Sequence, residues 1–168
     1  GSIPKIRELV QQNKIKGYSL PQGQLSLLFR EIARGSPGLI STVGKHTYVD
    51  PKNGGGKLNK ITKEDVVDNI SINGSSYLFY KSIAVDIAII RGSIADKFGN
   101  ISMIDEPVKT EFLSMAQAAK SSGGEIFVQV AEVLEEKLPP EKINLPSHLV
   151  DGVILSKDLK NEHRHTNK

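Results

Sequence analysis

The sequence predicts an α/β domain built on a parallel sheet, and three stretches predict it. A strand, a helix and a second strand follow one another at Ile83 to Ile90, Pro107 to about Lys120 and Ile126 to Val133. That order and spacing argue for a right-handed crossover between parallel strands. A corner at Pro21-Gln22-Gly23 joins a short strand candidate, Tyr18 to Leu20, to an apolar-faced helix, Gln24 to Arg34. A hairpin is signalled by Ile70-Ser71-Ile72, Asn73-Gly74 and Ser75 to Tyr80, because Asn-Gly supplies the two positive φ angles of a type I′ turn.

Taken in order, Pro4 opens a helix through about Lys14 with Ile6, Leu9 and Val10 on one face. The Gln24 helix buries Leu25, Leu28, Phe29 and Ile32, and Gly35-Ser36-Pro37-Gly38 stops it. Leu39 to Val43 reads as a strand. A polar loop from Gly44 to Lys60 follows, long enough to suggest function or disorder. Thr62 reads as the cap of a short helix, with Asp65 in the acidic position of a capping box. Ile83 to Ile90 reads as a buried central strand, leading into a tight turn within a small β excursion that ends near Met103. The helix from Pro107 turns Val108, Phe112, Met115 and Ala119 inward and stops at Ser121-Ser122-Gly123-Gly124. Leu149 to Leu155 is a last strand, and residues 157–168 are a polar tail.

Composition narrows the function. With 168 residues the chain is one domain able to bury a substantial core. Its formal charge of +3, from 22 basic and 19 acidic residues, slightly favours anionic small molecules. Aromatics make up 5% and do not interleave with basic clusters, which argues against nucleic acid. No cysteine is present, which excludes a disulfide framework and a thiol nucleophile and fits a cytoplasmic protein. No apolar run reaches membrane-spanning length, so no membrane partner is expected.

Few constellations carry chemistry. Gln22 sits where a strand hands over to a helix N-terminus, the place where open α/β sheets bind ligands. Two readings stand for it: a turn cap, or a donor to a substrate carbonyl. Gly54-Gly55-Gly56-Lys57 fails the phosphate-loop pattern, having Pro51 where a glycine belongs and Leu58 where Ser or Thr belongs. His46, His148, His163 and His165 match no zinc spacing, so no metal is expected. Arg91 and Asp96 pair either across an active site or to fix the turn.

Read together, Leu20-Pro21-Gln22-Gly23, Val43-Gly44, Thr47-Tyr48-Val49-Asp50-Pro51, Gly55-Gly56-Lys57-Leu58-Asn59, Arg91 to Asp96 with Gly99-Asn100, and Ser122-Gly123-Gly124 before Val128-Gln129-Val130 resemble the α-lobe of family I coenzyme A transferases. The nearest type is the single-chain acetate/propionate, or acetoacetyl-CoA, transferase, over residues 3–156. The resemblance implies a doubly wound, mostly parallel sheet with helices on both faces and a small β-hairpin excursion. It implies transfer of CoA between a short-chain acyl-CoA and a carboxylate acceptor through a glutamyl-CoA thioester, in short-chain fatty acid or ketone-body metabolism. CoA thioester is then a substrate, and no cofactor is bound. Gln22 becomes the donor to the thioester carbonyl. Gly23, Gly44, His46, Thr47, Gly55, Gly56, Asp96 and Asn100 become substrate-binding positions, with His46 standing where the family usually has glycine.

The departures shape the expectation. The family lobe opens with a strand and a glycine-rich turn, and its nucleophilic glutamate lies in a Ser-Glu-Gly-like setting of a second lobe; the sequence shows neither. A lobe truncated at both ends is expected, inactive alone, completed by a glutamate-bearing lobe on the same or a partner chain. An unpaired sheet edge and a homo-oligomer follow from that. The competing readings are a non-catalytic interaction module that keeps the fold, and a sugar-phosphate isomerase-like enzyme.

Overall fold

A computed structural model gives the fold and describes residues 3–159. His163, His165 and most of the expected tail lie outside the described residues. Two compact units are present, one comprising residues up to Glu31 together with Ser36–Ile83, the other Ile32–Gly35 and the residues from Ala84 on.

The first unit begins with α1 (Pro4–Gln11) and all but the last two residues of α2 (Gln22–Ala33). The sequence carries α1 to Lys14, but Asn13 takes a left-handed φ of 55°. The Lys14 amide then reaches back to the Leu9 carbonyl at 2.9 Å, closing the helix as a glycine would. Tyr18 to Leu20 is an extended arm rather than a strand, holding a single bridge between Tyr18 and Lys57. In α2 the buried stripe is Gln24, Leu28 and Ile32, a spacing of four. Gly35 (φ 74°) ends it, the Ser36 amide bonding the Glu31 carbonyl at 2.9 Å.

Strands β1 (Gly38–Ser41), β2 (Val67–Ile72) and β3 (Ser75–Lys81) form an antiparallel sheet in the order β1-β3-β2. Asn73 (φ 51°) and Gly74 (φ 79°) make the expected hairpin turn. No helix follows Thr62. Its buried hydroxyl oxygen instead accepts the Gly17 amide at 2.9 Å and donates to Asn59 Oδ1 at 2.5 Å, spending the cap on the chain upstream.

The second unit holds a parallel sheet, β4 (Ile87–Arg91), β7 (Glu125–Val130) and β9 (Gly152–Leu155), in the order β4-β7-β9. The crossover between β4 and β7 is α3 (Phe112–Ser121). Among the described residues β4 is an edge strand, not the central one, and it begins four residues later than the apolar run suggests. Its burial alternates: Ala88 and Ile90 face the core, whereas Ile87 and Ile89 are 55% and 75% exposed. The helix also starts later than Pro107, and Val108 is exposed; the buried side chains are Ser114, Ala116, Ala118 and Ala119. Ala116 and Ala119 pack with Ile90, Ile126, Val128 and Val130, small residues letting α3 approach the sheet closely. The β excursion is β5 (Ile94–Asp96), β6 (Ile101–Ser102) and β8 (Glu132–Leu134), with β5 antiparallel to β6 and parallel to β8. Among the described residues, parallel pairing is thus confined to this unit. Among the described residues no helix is long and apolar enough to cross a membrane.

The turn from α3 into β7 has no room for a side chain. A Cβ at Gly124 would lie 2.3 Å from the Val85 carbonyl oxygen and 2.4 Å from that of Asp86, both backbone atoms. Urea denaturation of Gly124→Ala is expected to show a loss of about 1–3 kcal/mol. Gly23→Ala, where no atom lies within 4 Å, should be neutral or gain up to about 1 kcal/mol as a helical residue. Equal stabilities for the two variants would contradict the close approach.

Candidate functional site

The loop between β1 and β2 is long but ordered, and one carboxylate orders it. Asp50, 4% exposed, accepts the His46 amide at 3.1 Å on Oδ2, and the Lys52 amide at 3.1 Å and Asn69 Nδ2 at 3.2 Å on Oδ1. Its own carbonyl accepts the Asn53 and Gly55 amides at 2.8 and 3.1 Å. The Pro51–Asn53 turn is thereby closed, and Gly54, Gly55 and Gly56 run on at φ of 116°, 65° and 75°, angles that favour glycine. The hydrogen bond from the His46 amide, then that from Asn69, then that from Lys52, hold the Asp50 carboxyl below its ordinary range.

At the loop's start, Gly44 (φ 96°) passes under Tyr80, whose buried hydroxyl donates to the Val43 carbonyl at 2.7 Å. A Cβ at Gly44 would fall 2.6 Å from that hydroxyl. Burial pushes the Tyr80 phenol up, and the nearby Tyr48 adds to it. Thr47 Oγ1 donates to the Gly44 carbonyl at 2.7 Å. His46 is exposed and left-handed at φ 63°, which explains why glycine suits this position. The same loop is stitched to the arm before α2. Gly56 donates to the Tyr48 carbonyl at 2.9 Å and accepts the Ser19 amide at 2.8 Å, and Leu58 bonds the Gly17 carbonyl at 2.9 Å. A Cβ at Gly56 would sit 2.7 Å from the Ser19 carbonyl oxygen.

Gly44, His46, Thr47, Gly55 and Gly56 therefore share one hydrogen-bonded loop, tied to the arm that runs into Pro21-Gln22-Gly23. Gln22 is the first residue of α2 and exposed, as is Gly23. The Gln24 and Leu25 amides both turn to the Pro21 carbonyl, at 2.9 and 3.1 Å. Gln22 and Gly23 are left with first-turn amides that have no partner among the described residues. The buried amide of this helix is Gln24, 7% exposed, whose Oε1 has no hydrogen-bond partner. Gln24 stands one helical turn before Leu28, and that spacing was the available signal for it.

Asp96 and Asn100 lie in the second unit and face inward. Asp96 is 2% exposed; Oδ1 accepts the Phe98 and Asn100 amides, both at 2.9 Å, and Oδ2 accepts Asn100 Nδ2 at 2.9 Å and the Leu138 amide at 3.1 Å. Asn100 Oδ1 accepts the Ser147 amide at 3.0 Å. Burial pushes the Asp96 carboxyl up, but the four hydrogen bonds together hold it below the ordinary range. Arg91 is not its partner: Arg91 Nε donates to Glu106 Oε2 at 2.9 Å. The Asp96 carboxylate serves the turn. Among the described residues no group of three or more His, Cys, Asp or Glu side chains is placed to hold a metal ion.

One unit holds a parallel sheet with a crossover helix, and the other a glycine-rich loop stitched to a helix-opening corner. The chain belongs to the Coenzyme A transferase family, whose match covers residues 2–156. It is 46% identical over 159 residues to the caffeate CoA-transferase of Acetobacterium woodii, spanning 94% of this chain and 30% of that protein. It is 29% identical over 155 residues to the alpha subunit of an acetoacetyl-CoA:acetate/butyrate CoA transferase of Clostridium acetobutylicum, covering 62% of that subunit. The crystal structure of acyl-CoA transferase YdiF from Escherichia coli O157:H7 superposes with a TM-score of 0.86 at 40% identity, over 92% of this chain and 30% of that one. The chain thus spans about a third of the length of its more similar relatives.

Two outcomes follow from the loop and the turn. Asp50 and Asp96 have lowered folded values, so the stability each contributes is complete above the unfolded carboxylate value of about 3.9 and is lost as pH falls through the folded value. Urea unfolding should therefore show no contribution from these groups to pH dependence between about pH 7 and 5, and a decline below about pH 4. Asp50→Asn should shrink that decline and speed amide exchange at His46 and Lys52; an acid limb and exchange pattern identical to the parent's would be incompatible with the clamp. Separately, His46→Gly should leave thermal stability unchanged or raised by up to about 1 kcal/mol, whereas His46→Val should cost about 1–2 kcal/mol.

Proposed function

We infer that this chain supplies the carbonyl-polarising part of a CoA-transferase centre, moving CoA between a short-chain acyl-CoA of acetyl, propionyl or acetoacetyl type and a carboxylate acceptor. In this reading a glutamate held on polypeptide outside these 168 residues attacks the thioester carbonyl. The C–S bond breaks, CoA thiolate leaves, and an acyl–glutamyl anhydride forms. The thiolate then attacks the glutamyl carbonyl, giving glutamyl-CoA and releasing the first carboxylate; the acceptor carboxylate runs the sequence backwards. Negative charge grows on the carbonyl oxygen at each addition, and donors fixed in advance stabilise it most.

The observation that carries the reading is the corner. An exposed Gln22 amide and two unpartnered first-turn N–H groups stand at the positive end of α2, on an arm locked to Gly56. Gly44, His46, Thr47, Gly55 and Gly56 then form the substrate-side wall with Gly23, free of side-chain bulk where glycine stands. Asp96 and Asn100 act by holding their turn rather than by touching substrate. The partner is a glutamate-bearing lobe or subunit, a reading supported by the alpha-subunit relative; self-association of the assembled protein accompanies it. The 168 residues alone are expected not to turn over.

The test is a chimera in which this chain replaces the matching segment of Escherichia coli YdiF. The chimera should transfer CoA between acetyl-CoA and a short-chain carboxylate, and Gln22→Ala within it should lower kcat by roughly 10²–10³-fold, as for an oxyanion donor. Gln24→Ala, two residues further along the helix and on its buried face, should leave kcat within a few-fold. An active chimera whose Gln22→Ala variant keeps its rate would falsify the donor role.

A further inference from the structure

Two Asn-Gly pairs occur in the sequence, Asn53-Gly54 in the site loop and Asn73-Gly74 at the turn between β2 and β3. Both pairs are exposed, and at both glycines an added Cβ would meet no atom within 4 Å. Steric access is therefore the same, but hydrogen bonding is not. Asn53 Nδ2 donates to the Thr47 carbonyl at 3.0 Å, the Asn53 amide to the Asp50 carbonyl at 2.8 Å, and the Gly54 amide to the Pro51 carbonyl at 3.3 Å. Neither the Asn73 side chain nor the Gly74 amide has a hydrogen-bond partner among the described residues.

That difference bears on a reaction open to any Asn-Gly pair, closure of the asparagine side chain onto the next amide nitrogen. Glycine is the favourable follower, since no Cβ screens its nitrogen. Closure asks three things: the nitrogen must lose its proton, the side-chain amide must swing over it, and the backbone between them must rotate. In the site loop each is opposed, because the nitrogen's proton, the side chain and the asparagine's own amide are all held by carbonyls. At the hairpin the first two conditions are met outright. The third is met by fraying: the turn is bounded by Ile72 paired with Ser75, the exposed end of the ladder, and end pairs open most easily. Opening also releases Asn73 from its left-handed φ of 51°.

We propose that Asn73 is a site of spontaneous deamidation, with water as its co-reactant, and that the hydrogen bonds of the site loop protect Asn53 from the same fate. The Gly74 amide gives its proton to water or hydroxide, and its nitrogen attacks Asn73 Cγ. The N–Cγ bond forms, the Cγ–Nδ2 bond breaks, and ammonia leaves with a proton from solvent. Water then opens the resulting cyclic imide. Cleavage of the new N–Cγ bond leaves an aspartyl residue at position 73, and cleavage of the original peptide C–N bond leaves an isoaspartyl one. Either product puts a carboxylate on the hairpin tip, and the isoaspartyl form adds a backbone carbon to a two-residue turn. Ser76, three residues on, accepts Lys45 Nζ at 2.9 Å on its carbonyl, so the altered turn adjoins an anchor of the site loop. This chemistry is independent of the CoA-transfer reading.

Peptide mapping by mass spectrometry tests it, on the 168-residue chain aged in warm, mildly alkaline buffer and on a parallel sample kept unfolded in urea. Each hydrogen bond that must break before closure slows it by roughly fivefold. In the folded chain the amide-to-acid mass change should therefore appear at Asn73 at least about tenfold faster than at Asn53. The aged chain should also accept methyl groups from S-adenosylmethionine through an isoaspartyl methyltransferase, and Asn73→Gln should remove most of that labelling. In urea the two rates should come within about threefold of each other, because the loop's hydrogen bonds are gone. Equal rates in the folded chain, or faster conversion at Asn53, would overturn the proposal. So would an Asn73 that stays intact in the folded chain while the unfolded one converts. A tenfold preference that persisted in urea would assign the difference to neighbouring sequence rather than to the fold, and would overturn the protection of Asn53.

Discussion

The site loop depends on a single carboxylate. Asp50 is buried among backbone donors, and its three side-chain hydrogen bonds reach His46, Lys52 and Asn69, points spread over the loop and the first strand after it. Without such a hub, a glycine-rich stretch of this length has the largest conformational entropy to lose and the least side-chain packing with which to offset it. A carboxylate is suited to the task because it only accepts, and it offers enough lone-pair sites to satisfy several N–H groups at once. The neighbouring proline fixes φ at the first position of the turn. The glycines can then take left-handed angles without making the loop mobile.

Rigidity in that loop is passed to the corner by backbone alone. Ser19 bonds to Gly56, Leu58 to Gly17, and Gly56 to Tyr48, so the arm entering α2 is held by main-chain groups on both sides of the glycine run. Gly56 is glycine for two reasons at once: its φ of 75° and the 2.7 Å that would separate a Cβ from the Ser19 carbonyl oxygen. A side chain there would push the arm away and, with it, the first turn of α2. Donor placement at a reacting carbonyl tolerates little error, and main-chain hydrogen bonds hold tighter registers than long side chains do.

Signals within a few residues of one another were legible in the sequence. The Asn73-Gly74 hairpin, the Gly35 stop and the Asp96–Asn100 turn each rest on local backbone chemistry, and each stands where it was read. The crossover was legible because strand, helix and strand differ in period. What failed needed distant partners. Thr62 has the grammar of a helix cap, yet its hydroxyl is claimed by Gly17, 45 residues away. Tyr18 to Leu20 has the composition of a strand, but its bonding partner is a turn-rich loop that offers one bridge. The apolar run at Ile83 to Ile90 reads as fully buried because composition cannot say how many neighbours a strand has; Ile87 and Ile89 face away from the core. Asp50 was visible within a motif, but its role depends on Asn69, 19 residues away in β2.

Gln22 and Gln24 show how the same side chain divides between structure and chemistry. Two residues apart on a helix, they point roughly 200° from each other, so one enters the core when the other faces solvent. Gln24 is on the stripe with Leu28 and Ile32, and an orphaned buried carbonyl oxygen is costly, of the order of 1–3 kcal/mol. Gln22 bears no such cost, since it is exposed and water can satisfy it. Only a group in that second condition can give a donor to a developing charge, because a group already committed inside the fold would have to break a contact first. The helix opens at Gln22 rather than Gln24, and Pro21 sets that opening: its carbonyl takes the Gln24 and Leu25 amides, while those of Gln22 and Gly23 have no partner among the described residues. The proline, which donates nothing itself, decides which first-turn amides are spent on the backbone.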